Sequence, residues 1–282
     1  MTVLIQVLLC LALSACVFAQ PSTSPFTPPN GAPFIADNSF LIEEAFNQEA
    51  NVVQHISAFT RLWNSETWAY TFTQEWPFPG HEKHQLSYTL AALSAGSNSG
   101  AGFGDILLNY RYQVVGTAEQ RFSFAPRVSL LVPTGNSRFG RGAGGAGVQT
   151  NLPVSVYVNR HLITHWNAGA TFIPNAKNAT GDRAFSAGYN LGQSFIWLAN
   201  PRFNAMLETV WNDSGVVVAN DQTQRSKSLL ISPGVRWAYN FKSGLQIVPG
   251  VAVPLGVGPS SGERGLILYL SFEHPIRRQA AD

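Results

Sequence analysis

His161 and His165 read H-x-x-x-H, a spacing that on a helix would bring both imidazoles to one face, where they could share a zinc ion. On a strand the same four residues span about 13 Å, too far for a single metal. A second histidine cluster, Gly80-His81-Glu82-Lys83-His84, carries a lysine where a serine two residues after His81 would make a hydrolytic pair, so Ser-His catalysis needs a serine from another part of the chain. Gly140, Gly142 and Gly145 spell G-x-G-x-x-G, but a dinucleotide fingerprint must open a helix. The stretch immediately after it, Val148 to Val158, alternates like a strand, and the glycine stretch reads as an exposed loop. The remaining chemistry lies in charged and polar residues at one strand parity, namely Asp105, Asn109, Arg111, Arg127, Asn151, His165, Arg202, Glu208, Arg236 and Glu273. No catalytic set, metal site or cofactor site emerges. The parity makes these residues candidates to line a common interior.

The elements that position them arise from period two. In Asp105 to Val114, Ile106, Leu108, Tyr110 and Tyr112 fall on one face and Asp105, Asn109, Arg111 and Gln113 on the other. Successive strand side chains point to opposite faces, so one face suits lipid and the other water. Similar segments recur at about 51–59, 67–76, 85–93, 121–132, 148–158, 161–172, 185–197, 202–211, 228–239, 245–255 and 265–273. Together they predict an all-β fold, a transmembrane antiparallel β-barrel of about 12 strands of the outer-membrane type. Tight links at 117–120, Arg160, 200–201 and 240–244 alternate with long loops at 94–102, 133–147, 173–184, 212–227 and 256–264. Short turns facing the periplasm place both termini there. Trp68, Trp76, Trp166, Trp197, Trp211 and Trp237 fall mostly near strand ends, where indole favours the membrane interface. Pro126, Pro153, Pro233, Pro249 and Pro254 lie inside proposed strands and predict bulges, because proline removes a ladder donor. A soluble sandwich or barrel with an aromatic core is the alternative, and it explains neither an export signal at the N-terminus nor the alternation of links.

Composition agrees with the membrane reading. Charged residues are 12% of the 282-residue chain, about half the usual share for a soluble domain. A formal net charge of +2 offers no basic patch for a nucleic-acid partner. Residues 1–19 form an apolar run ending in Val17-Phe18-Ala19 and predict a signal peptide cleaved after Ala19, with acylation at Cys16 as the alternative. Both cysteines, Cys10 and Cys16, lie inside it, so the mature chain has no thiol chemistry. Residues 20–49 then read as a periplasmic segment, 50–273 as the barrel and 274–282 as a tail that lacks a terminal aromatic. Outer-membrane lipid, barrel-insertion machinery and a small-molecule solute are the expected partners.

Several stretches together carry a resemblance. Phe40-Leu41-Ile42-Glu43-Glu44-Ala45-Phe46-Asn47-Gln48-Glu49, then Val52-Val53-Gln54-His55, Gly102-Phe103-Gly104-Asp105, Tyr110-Arg111-Tyr112 and Leu131-Val132-Pro133-Thr134-Gly135 resemble the bacterial outer-membrane transporter family labelled putative MetA-pathway of phenol degradation. The resemblance covers most of the mature chain. It implies an outer-membrane barrel that passes small compounds, hydrophobic or aromatic ones among them, and it transfers no catalytic residue. A barrel of about twelve strands implies a narrow or partly blocked pore. Glu43, Glu44 and Glu49 could fold inward against the lumen arginines as a plug, the alternative being a periplasmic tether. Passive solute passage is the leading expectation, with an outer-membrane lipid hydrolase or a structural or adhesive barrel as rivals.

Overall fold

Hydrocarbon offers no partner for a backbone N–H or C=O, so strands that cross it must pair on both edges, and the sheet must close. The computed structural model describes residue 35 and residues 37–97 and 99–275. In it, twelve strands close into one antiparallel sheet. They are β1 (Val52–Leu62), β2 (Trp68–Phe78), β3 (His81–Ser94), β4 (Gly102–Phe103 and Ile106–Tyr112), β5 (Phe122–Phe124 and Arg127–Val132) and β6 (Gly147–Asn151 and Val154–Asn159). The others are β7 (Leu162–Lys177), β8 (Arg183–Asn200), β9 (Phe203–Ala219), β10 (Gln222–Trp237 and Tyr239–Asn240), β11 (Gln246–Ala252 and Leu255–Gly256) and β12 (Gly265–Pro275). The seam runs from Val52 opposite Pro275 to Leu62 opposite Gly265, so β1 and β12 leave no free edge. The predicted signal peptide and the tail beyond residue 275 lie outside the described residues.

The outer face is the apolar one. Leu108, Val128, Leu130, Leu191, Leu207, Leu268 and Leu270 are all exposed there, which in a soluble protein would be a severe liability and here is the lipid contact. Trp76, Trp166, Trp197 and Trp237 belong to the half of the wall that carries the tight turns, consistent with an interface girdle. Trp211 is mid-strand instead, paired with Leu191 and Leu229.

Two expected loops are largely strand. Residues 212–227 form the upper halves of β9 and β10, joined by a turn at Asn220 and Asp221, with Asp221 in the left-handed region at φ 58°. Only 178–182 of the expected 173–184 loop remains between β7 and β8. The reason is water: where the wall rises beyond the bilayer both faces can be polar, and the alternation that marks a strand disappears. β7 to β10 are 16 to 18 residues long, well above the roughly 9–11 needed to cross.

The prolines divide by position. Pro126, Pro153 and Pro254 stand in gaps that split β5, β6 and β11, while Pro233 and Pro249 stay in register opposite Leu207 and Leu270. An unexpected bulge lies between Ile173 and Ala176, at Pro174.

The inner face is not uniformly polar. Ile56, Tyr157, Ile163, Ile196, Met206, Ala252, Ile267 and Tyr269 point inward and pack around Phe40 and Phe46 of the N-terminal segment. Burying each phenyl ring contributes about 1.5 to 3 kcal/mol. This core exists only because the chain before β1 turns back into the barrel.

Candidate functional site

The segment from residue 37 to Gln48 has neither helix nor strand, yet most of it is buried. Such a backbone must find partners for its polar groups, and the inward side chains of the wall supply them. The N–H groups of Leu41 and Ile42 donate to Glu208 Oε1 at 2.8 and 3.2 Å, and Glu43 N–H donates to Asn167 Oδ1 at 2.9 Å. Ala45 N–H reaches Ser155 Oγ at 2.8 Å, Asn47 N–H reaches Gln113 Oε1 at 2.8 Å, and Gln48 N–H reaches Gln85 Oε1 at 2.7 Å. Carbonyls are met in the same way. Arg111 donates to Glu44 O and Phe46 O, Gln113 to Ala45 O, Asn167 to Glu43 O, and Arg236 to Asp37 O and Asn38 O. Residues from six of the twelve strands, together with Gln113 just after β4, thus replace the ladder that the segment lacks.

Charge reinforces this docking. Arg111, 2% exposed, lies 3.3 Å from Glu43, 3.6 Å from Glu44 and 3.4 Å from Glu75. Arg127 holds Glu43 through Nε at 2.9 Å. Asp37 accepts from Tyr269 Oη at 2.6 Å, Gln54 Nε2 at 2.7 Å and Ser271 Oγ. Glycine makes room on the wall: a Cβ at Gly250 would stand 2.5 Å from the Phe40 ring, and one at Gly192 would stand 2.2 Å from Ile42.

Most of the residues chosen by parity point into this interior. Asn109 donates to Ser87 and accepts from Arg127. Arg111, Arg127, Asn151, Glu208 and Arg236 contact the segment or its ion pairs, and Glu273 accepts from Gln54 at 2.9 Å. His165 is buried and 2.7 Å from Ser155 Oγ, a Ser-His pair, but Ser155 already accepts Ala45 N–H, and Phe46 packs on the imidazole at 5.9 Å. The pair lies under the segment. His161 sits in the exposed turn, away from His165.

Two expected lumen residues lie elsewhere. Arg202 is exposed in the turn between β8 and β9, one residue short of β9, so strand parity does not govern it. Asp105 falls in the gap between the two parts of β4 and accepts Gly135 N–H at 2.9 Å and Ala143 N–H at 2.7 Å, which pins the loop before β6. Of the three acidic residues expected to plug the lumen, Glu43 and Glu44 lie inside against Arg111, whereas Glu49 is exposed and accepts Val52 N–H at the turn into β1 through its carbonyl. His81 to His84 open β3 rather than forming the turn, which lies just before them. Gly140, Gly142 and Gly145 lie in the loop between β5 and β6.

Sequence parity overlooked Asp37, Gln54, Glu75, Gln85 and Tyr269. Glu75 sat at inward parity opposite Tyr70 and Phe72 and was recoverable. Asp37 lies outside any strand, and its partners become visible only once the chain is folded back.

At the loop end, Glu263 closes the seam from outside. Its slight burial pushes the carboxyl up, but N–H bonds from Asn64, Ser65 and Arg264 outweigh this and hold it below the usual glutamate range.

On the loop side of the segment lies a cavity of about 240 Å³, floored by Leu41, Ile42 and Glu43. Its wall residues Asn151, Asn167, Asn190 and Asn212 each stand nearer the loop end than Ser155, His165, Ser194 and Glu208 of the same strands.

A family model described as "Putative MetA-pathway of phenol degradation" matches residues 29–265. No curated protein matches the chain. Among solved structures, an outer membrane channel from Pseudomonas putida F1 superposes with a TM-score of 0.62 at 12% identity, covering 82% of this chain and 98% of that one. NanC porin and KdgM porin give TM-scores of 0.49 at 6% and 12% identity, each covering 78% of this chain and 98% of the other. At these identities the likeness concerns the fold.

Proposed function

Because the chain belongs to the family described as putative MetA-pathway of phenol degradation, we propose that it is an outer-membrane channel for passive passage of small solutes, with both termini in the periplasm and no cofactor. The observation that carries this reading is the closed wall with a polar interior, occupied by a docked segment rather than filled by wall side chains. A barrel of about eight strands fills its own lumen, whereas one of twelve leaves a space. Here a separate stretch of chain takes up that space. The Pseudomonas putida F1 structure, described as an outer membrane channel, supports the same reading. Residues 1–19 serve as export signal in this reading, and lipid and insertion machinery are the partners of the wall.

The segment acts as a constriction held by wall side chains. Full-length mature protein in planar bilayers then gives a small conductance, and deletion of residues 20–49 raises it severalfold. Liposome swelling by the deleted form accompanies the rise. Absence of permeation by both forms would leave a structural barrel in place of a channel. Among the described residues the hydrolase rival finds the Ser155–His165 pair, which is not among the residues lining the cavity; hydrolysis of a lipid ester lost on Ser155→Ala would revive it.

A further inference from the structure

The channel reading leaves the class of solute open, and the cavity above the segment narrows it. Five amide side chains, Gln149, Asn151, Asn167, Asn190 and Asn212, face it together with Arg127. Arg127 brings no free charge, since both Glu43 oxygens accept from its Nε at 3.1 and 2.9 Å and its remaining donors go to Asn109, Ser129 and Gln149. The cup is therefore electrically balanced and rich in amides.

Several of those amides are incompletely bonded. Asn151 is 5% exposed; its Nδ2 donates to Glu43 Oε2 at 2.7 Å and Asn167 Oδ1 at 3.1 Å. A carboxylate only accepts, so the other atom of the Asn151 amide is the oxygen, and that buried oxygen has no partner among the described residues. Asn190 lines the cup with no hydrogen bond from its amide among the described residues, and Asn212 uses only Nδ2, toward Ser228 at 3.3 Å. The Asn151 oxygen is shut off behind the lining, so the cup itself presents an unmet acceptor at Asn212 and both an acceptor and donors at Asn190.

A carboxylate ligand would meet the Asn190 donors but leave the Asn212 oxygen unmet and bring a second anion beside Glu43, and an ammonium would leave the Asn190 donors unmet and bring a second cation beside Arg127. A plain apolar ring would leave every one of these groups unpaired in a confined space. A hydroxyl donates and accepts through one atom. At about 240 Å³, the cup lies just under the roughly 300–1,000 Å³ of pockets for drug-sized ligands. We propose that this cup is a recognition site for one neutral, multiply hydroxylated small molecule of about monosaccharide size. The proposal rests on the channel reading for its meaning as solute selection, while the site itself is testable by binding alone.

Full-length mature protein refolded in detergent is titrated by saturation-transfer NMR with glucose, sorbitol, glucuronate, protonated glucosamine and phenol, and swelling rates are recorded in parallel on liposomes. Glucose and sorbitol are expected to bind at least about tenfold more tightly than the charged analogues and phenol. Asn190→Leu, which breaks no bond within the protein, is expected to weaken glucose about tenfold, the loss of one or two hydrogen bonds. Heat-shifted gel mobility confirms that the variant is folded, and Asn190→Gln restores part of the binding. Equal binding of glucuronate or phenol, no binding at all, or an Asn190→Leu variant that binds glucose as the wild type does would each overturn the site. Swelling without saturable binding removes the site and leaves the channel, whereas binding without swelling by any solute removes the channel and leaves the site.

Discussion

Replacing Arg111 by methionine should undock the N-terminal segment while leaving the barrel wall intact. The guanidinium donates to Asn47 Oδ1, Glu43 Oε1, Glu44 O, Phe46 O and Glu75 Oε2, and four of these five acceptors belong to the segment. Methionine fills much of the volume but leaves two main-chain carbonyls without donors and strands Glu44 and Glu75 in a dry interior. Removing one partner of a buried ion pair costs about 3 to 5 kcal/mol, and the carbonyls are part of that figure rather than an addition to it. The ladders of β4 run to β3 and β5 through backbone groups, so the cost falls on docking. At about 1.4 kcal/mol per tenfold, the undocked population should rise by roughly two to three and a half orders of magnitude. The mature chain has no cysteine under the predicted processing, so Ala45→Cys, at a position that is 0% exposed, reports undocking by its rate of maleimide labelling. The Arg111→Met background should accelerate labelling by at least about 100-fold with heat-modifiable mobility unchanged. A change under about threefold in a folded barrel would refute the claim that this arginine holds the segment.

Gly250→Val places a side chain where the Phe40 ring stands and should raise single-channel conductance toward that of the form lacking residues 20–49; unchanged conductance would show that the wall yields instead. Leu108→Arg puts charge into lipid and should destabilise by about 2 to 4 kcal/mol in urea refolding into bilayers, whereas Asn190→Arg, facing the cup, should cost under half of that, and equal costs would contradict the assignment of faces. Glu263→Gln removes a carboxylate that three N–H groups hold, so amide exchange around residues 63–66 should quicken. Because the folded Glu263 is held below the usual glutamate range, its contribution is present above that range and is lost as pH falls through the lowered folded value; protection that stays flat across that fall would remove the clamp.

The faces of the barrel were legible because lipid imposes period two on them: Leu108, Tyr110 and Tyr112 could be assigned outward and Asn109 and Arg111 inward from spacing alone. Where that pressure ends, so did legibility. Residues 212–227 are polar at both ends, and the strand and turn signal between them, Val216-Val217-Val218 followed by Asn220-Asp221, is too short to show the alternation by which the other strands are read. Arg202 failed for a related reason, since parity counted one residue beyond the strand says nothing about direction. Asn109 shows the limit inside the bilayer. Parity placed it inward, yet an inward residue 7% exposed and bonded to Ser87 and Arg127 is a packed residue, and a charge put there would meet Arg127 rather than water.

Inward polarity in a membrane barrel therefore has two physical causes that share one sequence pattern. A solvated lumen needs side chains that water can hydrate. A lumen holding an irregular segment needs side chains that can stand in for a missing strand, because each unpaired peptide group in that space costs about 1 to 3 kcal/mol. The two differ in what accompanies the polar residues. A solvated lumen has no use for Ile163, Ile196, Met206 and Ile267 at inward positions, whereas a docked segment bearing Phe40 and Phe46 requires them. Near the turn end the polar groups Gln85, Gln113, Ser155 and Glu208 alternate around that apolar set and close on backbone N–H groups, so this half of the interior is built for holding chain. Toward the loop end the inward apolar residues Ile173, Ala176, Ala184 and Val217 pack on one another and on Leu131 and Ala143 rather than on the segment, the amides of Asn151, Asn190 and Asn212 keep unmet atoms, and the same inward parity now serves something other than the segment.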